Sequence, residues 1–230
     1  IPKLKQLATT SFIYEGGVSL PPELIALTLS LSLYTATFIA ECVRAGIQGV
    51  GKGQKEAAAS IEAGSVIACP AEAVWGLSCD PWNLSAVAFL CEMKQRALSK
   101  GVIVASGDVA HFAPLLDALD DNGRSRVLSS WPGPVTWLVP NRGYFPSWVT
   151  GESNEVAIRV TSAPALSSLC RELDSPVVTT SANWAGAQPA KHLFQVRRYF
   201  GSEIAVVPGE VDLAGKPSTI KRIKTGEVLR

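Results

Sequence analysis

The chain has few of the residues that build metal centres or disulfide frameworks. Its only histidines are His111 and His192, which excludes a histidine-rich metal site. Its five cysteines, Cys42, Cys69, Cys79, Cys91 and Cys170, are odd in number and form no CxxC. That argues against a disulfide framework or a zinc site and for a reducing compartment. Charge is also scarce: Asp, Glu, Lys and Arg make up 18% of the residues, and 21 basic against 20 acidic side chains leave a net charge of +1. A balance so close to zero speaks against bulk electrostatic binding of nucleic acid. Hydrophobic residues at 47% exclude a disordered chain. A coiled coil, rich in Glu, Lys and Ala, is excluded by the same composition. No internal repeat or low-complexity tract is visible.

A length of 230 residues gives room for one domain of ordinary size plus an appendage. The first sixty residues differ from the rest. Between Glu23 and Glu41 the run LIALTLSLSLYTATFIA (24–40) carries no charge. Its length is at the lower limit for a membrane-spanning helix, about 17–25 residues. Thr28, Ser30, Ser32, Thr35 and Thr37 dilute its hydropathy. Pro21, Pro22 and Glu23 stand where a signal peptide would have a basic segment, and no small-residue cleavage site follows. Two readings stay open at this point: a helix associated with a membrane, and a buried or amphipathic helix. The first residue is Ile1 rather than Met, which fits a fragment or a processed product.

The segment FIYEGGVSLPPELIALTLSLSLYTATFIAECVRAGIQGVGKGQKEAAA resembles the membrane subunit of polar amino-acid ABC transporters. There a helix of this type leads to a cytoplasmic loop with an EAA motif, matched here by Glu56-Ala57-Ala58. The glycine that completes the motif is missing, since Ser60-Ile61-Glu62 follows, so the resemblance stops near Ala59. One helix and one loop cannot form a transport path, which is built between several helices. Residues 1–59 are therefore expected to be an apolar helical appendage with no transport role.

Residues 61–230 alternate short β-rich runs with helical patterns. Ser65–Cys69, Val102–Ala105, Val135–Val139, Val156–Val160, Val177–Thr180 and Ile204–Val207 read as strands. Leu84–Arg96, Phe112–Leu119, Pro164–Leu173 and His192–Tyr199 read as helices, punctuated by Gly64, Gly107, Gly123, Pro176 and Gly201. This order predicts an α/β domain with a mixed sheet.

Five clusters in this part carry polar chemistry. Cys69–Leu77 follows a strand and reads as a structured turn, with Glu72 either a surface charge or a site residue. Lys94, Arg96 and Lys100 close a helical pattern. They either complement the helix C-terminus or clamp a phosphate or carboxylate. Trp131-Pro132-Gly133-Pro134-Val135-Thr136 fixes a tight backbone before a strand, and Gly133 permits close approach to a ligand. Thr179-Thr180-Ser181-Ala182-Asn183 leaves a strand end with neutral donors and acceptors, for a ligand or for a local turn. Pro217-Ser218-Thr219-Ile220 with Lys221, Arg222 and Lys224 makes a polar, basic edge.

Taken in order, CPAEAVWGLSCDP, KQRALSKG, WPGPVTWLVP, VAIRVT, VTTSANWAG, VVPGE and PSTIKR resemble the YrdC/Sua5 family in its short single-domain form. The resemblance covers about Ile61 to Arg230. It implies an open, twisted, mixed α/β sheet with a concave basic cavity. It also implies threonylcarbamoyl-AMP synthase activity, which joins L-threonine, bicarbonate and ATP into threonylcarbamoyl-adenylate and pyrophosphate. The product serves N6-threonylcarbamoylation of adenosine 37 in tRNA through a separate transferase complex. Carried over by motif, Lys94, Arg96, Ser181 and Asn183 match the K-x-R and S-x-N sets and are the expected catalytic residues. Ala71, Glu72, Lys100, Pro134, Thr136, Arg159, Thr180 and Ser218 are expected to bind ATP or the other substrates. Magnesium is expected with the ATP phosphates, and no carboxylate declares itself as its ligand. A cytoplasmic location follows. The alternative is a non-catalytic YrdC-like module that binds tRNA or other RNA. Two departures stand out: the family usually has Tyr-Pro-Thr-Glu where this chain has Cys69-Pro70-Ala71-Glu72, and Pro where it has Ala97.

Overall fold

The computed structural model describes residues 3–8, 11–15, 21–215 and 218–229. The chain divides into two compact units, Ile1–Gln48 and Gly49–Arg230.

In the first unit β1 (Lys3–Ala8) and β2 (Ser11–Glu15) form an antiparallel hairpin, so this part is not helical throughout. The helix α1 (Pro22–Glu62) then starts with Pro22 and Glu23, residues suited to a first helical turn. The stretch Pro22–Arg44 has 23 residues with a mean hydropathy of 1.5, and none of it is buried. Leu27, Leu29, Leu31, Leu33 and Phe38 are all exposed and point to different sides of the helix. The hydroxyls of Thr28, Thr35 and Thr37 donate to the carbonyls of Leu24, Leu31 and Leu33 at 2.7–2.8 Å.

The last turns of α1 belong to the second unit. Ala57, Ala58 and Ile61 are buried among Leu166, Leu169 and Cys170, and Ser168 donates to Gln54 Oε1 at 2.7 Å. Two alanines read above as part of a loop motif are thus core residues of the α/β unit.

That unit is built on an eight-stranded mixed sheet. In chain order its strands are β3 (Ile67–Pro70), β4 (Trp75–Cys79), β5 (Ile103–Ser106), β6 (Val135–Pro140), β7 (Glu155–Val160), β8 (Val177–Ser181), β9 (Ala205–Val206) and β10 (Thr219–Arg222). Their spatial order is β10-β6-β7-β5-β8-β4-β3-β9, and β10, β5 and β9 run parallel to β6, β7 and β3 respectively. The helices are α2 (Leu84–Met93), α3 (Ala113–Leu116), α4 (Asp121–Leu128), α5 (Ser147–Thr150), α6 (Pro164–Glu172) and α7 (Leu193–Phe200). β4 overlaps the Cys69–Leu77 segment whose sequence reads as a turn, and α4 lies where no helical pattern is legible. The helix expected over Phe112–Leu119 shrinks to a 3-10 turn and the single turn α3.

Alternation along the strands sorts side chains onto two faces. On one face Leu77, Val104, Ile158, Val139 and Val178 pack with Val87 and Leu90 of α2, Leu115 of α3, Val127 of α4 and Val196 of α7. On the other face Ile67, Cys69, Ala105 and Val177 pack under α6 and the end of α1. That cover stops short. Ile103, Ala157, Leu138 and Thr179 share this second face and form one row in register, Leu138–Ala157–Ile103–Thr179. Among the described residues of this unit no helix packs over them, and they line a cavity.

Candidate active site

The cavity has a volume of about 950 Å³. Its walls carry five cationic side chains, Lys94, Arg96, Lys100, Arg159 and Arg222, against two acidic ones, Glu72 and Glu155. Each carboxylate is already paired: Glu72 Oε2 lies 3.2 Å from Arg159 Nη1, and Glu155 Oε2 accepts from Arg222 Nε at 2.9 Å. Arg222 also donates from Nη1 to Glu227 Oε2 at 3.0 Å, and the lining as a whole is more cationic than acidic. A volume near the upper end of ligand pockets, about 300–1,000 Å³, leaves room for more than one small substrate.

Lys94 sits where α2 stops. Asn83 caps the helix start by accepting from Ala86 N at 3.1 Å. The helix ends because Gln95 turns to φ 54°, so Lys94-Gln95-Arg96 forms a turn and not the last helical turn expected from sequence. Lys94 is only 5% exposed. Its ammonium donates to Ser181 O, to Asn183 O at 3.0 Å and to Asn183 Oδ1 at 3.5 Å. Burial first, and then the neighbouring Arg96, lower its pKa to about 8 against an opposing effect of Cys91. The amide of Asn183 donates to Trp184 O and Ala187 O, both at 2.8 Å. Asn183 thus holds its own loop and offers Lys94 two oxygens.

Arg96 and Lys100 stand at the exposed rim. Arg96 Nη2 donates to Gly101 O at 3.0 Å and Lys100 O at 3.3 Å. Gly101 has φ +62°, and a Cβ there would lie 2.6 Å from Thr150 O. Glycine is needed at that point for both reasons.

Glu72 occupies the short turn between β3 and β4 that reaches over the cavity. Gly76, just beyond it, lets β4 run close to β8: a Cβ there would meet Thr179 Oγ1 and Thr180 O at 3.2 Å.

Of the twelve residues singled out in the sequence, ten line this one cavity: Lys94, Arg96, Ser181, Asn183, Ala71, Glu72, Lys100, Arg159, Thr180 and Ser218. Pro134 and Thr136 are not among its lining residues. Thr136 is fully buried and reaches the wall through its 3.3 Å hydrogen bond to Ser218 Oγ. Pro134 accepts from Thr219 N at 2.9 Å and so aligns β10 with β6. Thr179 and Gly76, from two of the clusters named above, and Glu155 and Arg222 also line the cavity. Arg222 belonged to the basic C-terminal edge but was not carried into the site.

Among the described residues no group of three His, Cys, Asp or Glu side chains forms a metal centre. All five cysteines are free. Burial pushes the Cys69 and Cys79 thiols far up and that of Cys170 to about 12, so these groups stay protonated and inert. Away from the cavity, Ser106 Oγ lies 2.7 Å from His111 Nδ1, and His111 Nε2 lies 3.6 Å from Asp174 Oδ1. This line resembles a hydrolytic triad only in its residue types. Ser106 is fully buried and its Oγ already accepts from Asp108 N at 3.0 Å, so no substrate reaches it.

The family model Sua5/YciO/YrdC, described as "Telomere recombination", matches residues 59–230. The chain belongs to this family. A threonylcarbamoyl-AMP synthase of Cellvibrio japonicus is 48% identical over 175 residues, covering 76% of this chain and 93% of that protein. One of Marinobacter nauticus is 47% identical over 173 residues, covering 74% and 91%. Among solved structures, the family member Sua5 of P. abyssi in complex with L-threonine superposes with a TM-score of 0.70 at 25% identity, covering 77% of this chain and 53% of that one. The chain thus spans about half the length of that Sua5. E. coli YciO, at 20% identity and a TM-score of 0.67 over 77% of this chain and 87% of its own, shares the fold.

Proposed function

We propose that the cavity carries out threonylcarbamoyl-AMP synthesis. The observation that carries this reading is the match at 48% identity across 93% of a relative with that name. The amine of L-threonine and bicarbonate give a carbamate with loss of water. A carbamate oxygen then attacks the α-phosphorus of ATP, the bond to the bridging oxygen breaks, and pyrophosphate leaves with the electron pair. The product, threonylcarbamoyl-adenylate, is used by a separate transferase complex to modify adenosine 37 of tRNA.

The substrates bring their own nucleophile and leaving group, so the protein's part is positioning and charge. Lys94 and Arg96 neutralise the phosphates and the carbamate. Ser181, Thr180 and Asn183 hold the strand end and loop against which the nucleotide lies. Arg159 and Lys100 take the remaining anionic groups. Magnesium enters as part of the ATP substrate. A protein-held ion does not fit here, because both lining carboxylates are committed to arginines and the other charges are cationic.

An ATP-dependent reaction belongs in the cytoplasm. Residues 22–44 hold the enzyme at the inner face of a membrane. Their unburied apolar surface supports this, as do hydroxyls that bond within the helix, as a bilayer requires. Arg44, Lys52 and Lys55 then follow the span on the cytoplasmic side. A single such helix lines no transport path.

The test is pyrophosphate release from ATP by the full chain in detergent, with magnesium and bicarbonate, with and without L-threonine. Threonine-dependent release is expected. A folded protein that binds ATP and salt-sensitively binds tRNA, yet releases nothing, overturns the synthase reading in favour of an RNA-binding module.

A further inference from the structure

Glu72 is an acidic residue in a cavity built for anions, and its carboxylate is held from two sides. Oε2 lies 3.2 Å from Arg159 Nη1, and Oε1 accepts a hydrogen bond of 2.7 Å from Thr161 Oγ1. Thr161 follows Arg159 by two residues just past the end of β7, so both side chains point to the same face of the sheet. Its backbone N donates to Ser106 O at 2.8 Å, and its hydroxyl accepts from Ala163 N at 3.1 Å. With that acceptor position filled, the single hydroxyl proton is committed to Glu72. Thr161 is 2% exposed and is not a lining residue of the cavity. Of these contacts, the one to Glu72 reaches the cavity wall.

We propose that Thr161 is a positioning residue: it fixes the Glu72 carboxylate, which in turn aims the Arg159 guanidinium at an anionic group of the substrate. The proposal rests on the synthase reading for the identity of its substrates, ATP and L-threonine. The chain of contacts runs from the start of α6 through Ala163 N, Thr161 Oγ1 and Glu72 to Arg159. It ties the turn after β3 to the end of β7, so a strand-end hydroxyl governs a cationic side chain it never touches. Without the hydroxyl, Oε1 loses its part-buried donor, and the carboxylate rotates toward Arg159 to replace it. The guanidinium turns with it.

The experiment compares the wild-type full chain with Thr161→Val, Thr161→Ser, Glu72→Gln and the double variant Thr161→Val/Glu72→Gln. Pyrophosphate release is measured against ATP and against L-threonine. Thr161→Val, nearly isosteric, is expected to raise the KM of whichever of these two substrates presents its anionic group to Arg159 about tenfold, the usual scale for one hydrogen bond to a charged group, with kcat changed much less. A rise for L-threonine assigns its carboxylate to Arg159; a rise for ATP assigns the phosphates. Thr161→Ser is expected to recover the loss. In the Glu72→Gln background Thr161→Val is expected to add nothing, whereas a role confined to the start of α6 would add its full effect again. Both KM values within twofold of wild type in Thr161→Val, or full additivity in the double variant, overturn the proposal. Thr161→Ala replaces Thr161→Val if the latter does not fold. A wild type without threonine-dependent release defeats the synthase reading instead. Equilibrium binding of ATP and L-threonine to wild type and Thr161→Val then decides on Thr161, and unchanged affinity for both counts against it.

Discussion

The Lys94 ammonium lies 3.0 Å from the backbone carbonyl of Asn183 and ties the end of α2 to the loop that follows β8. The two motifs that hold the charge of the site, K-x-R and S-x-N, are thus one mechanical unit. The ammonium also bonds Ser181 O and Asn183 Oδ1, so its donors are fully occupied before a substrate arrives. A bound phosphate must compete with three protein oxygens for it. The site holds its cation in place at the cost of part of its free electrostatic strength.

Replacing Lys94 by Ala removes the cation and leaves the oxygens of Ser181 and Asn183 without their donor. Removing one preorganised donor of this kind costs about 10²–10³ in kcat in oxyanion sites. We expect threonine-dependent pyrophosphate release by Lys94→Ala to fall at least tenfold. Arg96→Ala is expected to do the same, while its exposed position spares the fold. Turnover within twofold of wild type would remove either residue from the reaction.

The low pKa of Lys94 gives a pH dependence with a definite sign. In the folded protein it titrates at about 8, against an ordinary value of 10.5. The charged form that attracts phosphate is therefore present below pH 8 and lost above it. The affinity of the free protein for ATP is expected to be nearly flat up to about pH 7, to begin to fall toward pH 8 and to weaken steadily above it, as measured by calorimetry. Stability moves the other way. Below pH 8 both folded and unfolded chains carry the proton and the burial cost is constant. From pH 8 to 10.5 only the unfolded chain keeps it, so this residue's contribution to stability rises with pH. ATP affinity unchanged to pH 9.5 would count against Lys94 as a phosphate ligand.

The Gly101 backbone links the rim of the site to α5. Gly101→Ala puts a Cβ at 2.6 Å from Thr150 O in a left-handed conformation, and Arg96 loses the fixed carbonyls it bonds. Backbone strain of this type costs about 1–3 kcal/mol. We expect a lower melting temperature together with a raised KM for ATP. The exposed Gly143, at φ +79° with nothing within 4 Å of its Cβ, is the control: Gly143→Ala carries the conformational penalty without the clash or the loss of ATP affinity.

The helix Pro22–Arg44 gives a prediction independent of the chemistry. The full chain is expected in the membrane fraction of expressing cells and to stay there through alkaline carbonate extraction. Leu31→Arg with Leu33→Arg is expected to release it, since each charge at mid-span costs about 2.5–3.5 kcal/mol. Wild-type protein that remains in the carbonate supernatant would show that this helix does not enter a bilayer.

How much of the site could be read from sequence depended on how local its signals were. Lys94, Arg96, Ser181 and Asn183 lie in short motifs that resemble a family, and the structure brings them to one cavity. The strand β4 was hidden because Gly76 and Ser78 interrupt its apolar pattern. Gly76 is there for close approach to β8, so the feature that builds the site is also what masks the strand. The helix α4 has only Gly123 and Val127 buried, too little for an apolar stripe. Its start is marked by Asp120, whose carboxylate accepts from Gly123 N at 2.8 Å, a capping signal that could have located it. Thr161 gave no local signal, because its partner Glu72 lies 89 residues away.

Ala71 stands where the resemblance described above implies a threonine. It lines the main cavity and also a side pocket of about 370 Å³ that shares Glu72 with it. Its backbone N donates to Val74 O at 3.2 Å, which fixes the turn. A threonine here would add a hydroxyl beside Glu72 without changing the turn. One neutral hydrogen bond contributes about 0.5–1.5 kcal/mol, so Ala71→Thr is expected to lower the KM for L-threonine by about two- to tenfold. The KM for ATP should not follow. If both constants fall together, the new hydroxyl acts on the shape of the cavity as a whole. If neither moves, the family's hydroxyl at this position serves the turn, and this chain has lost nothing by its absence.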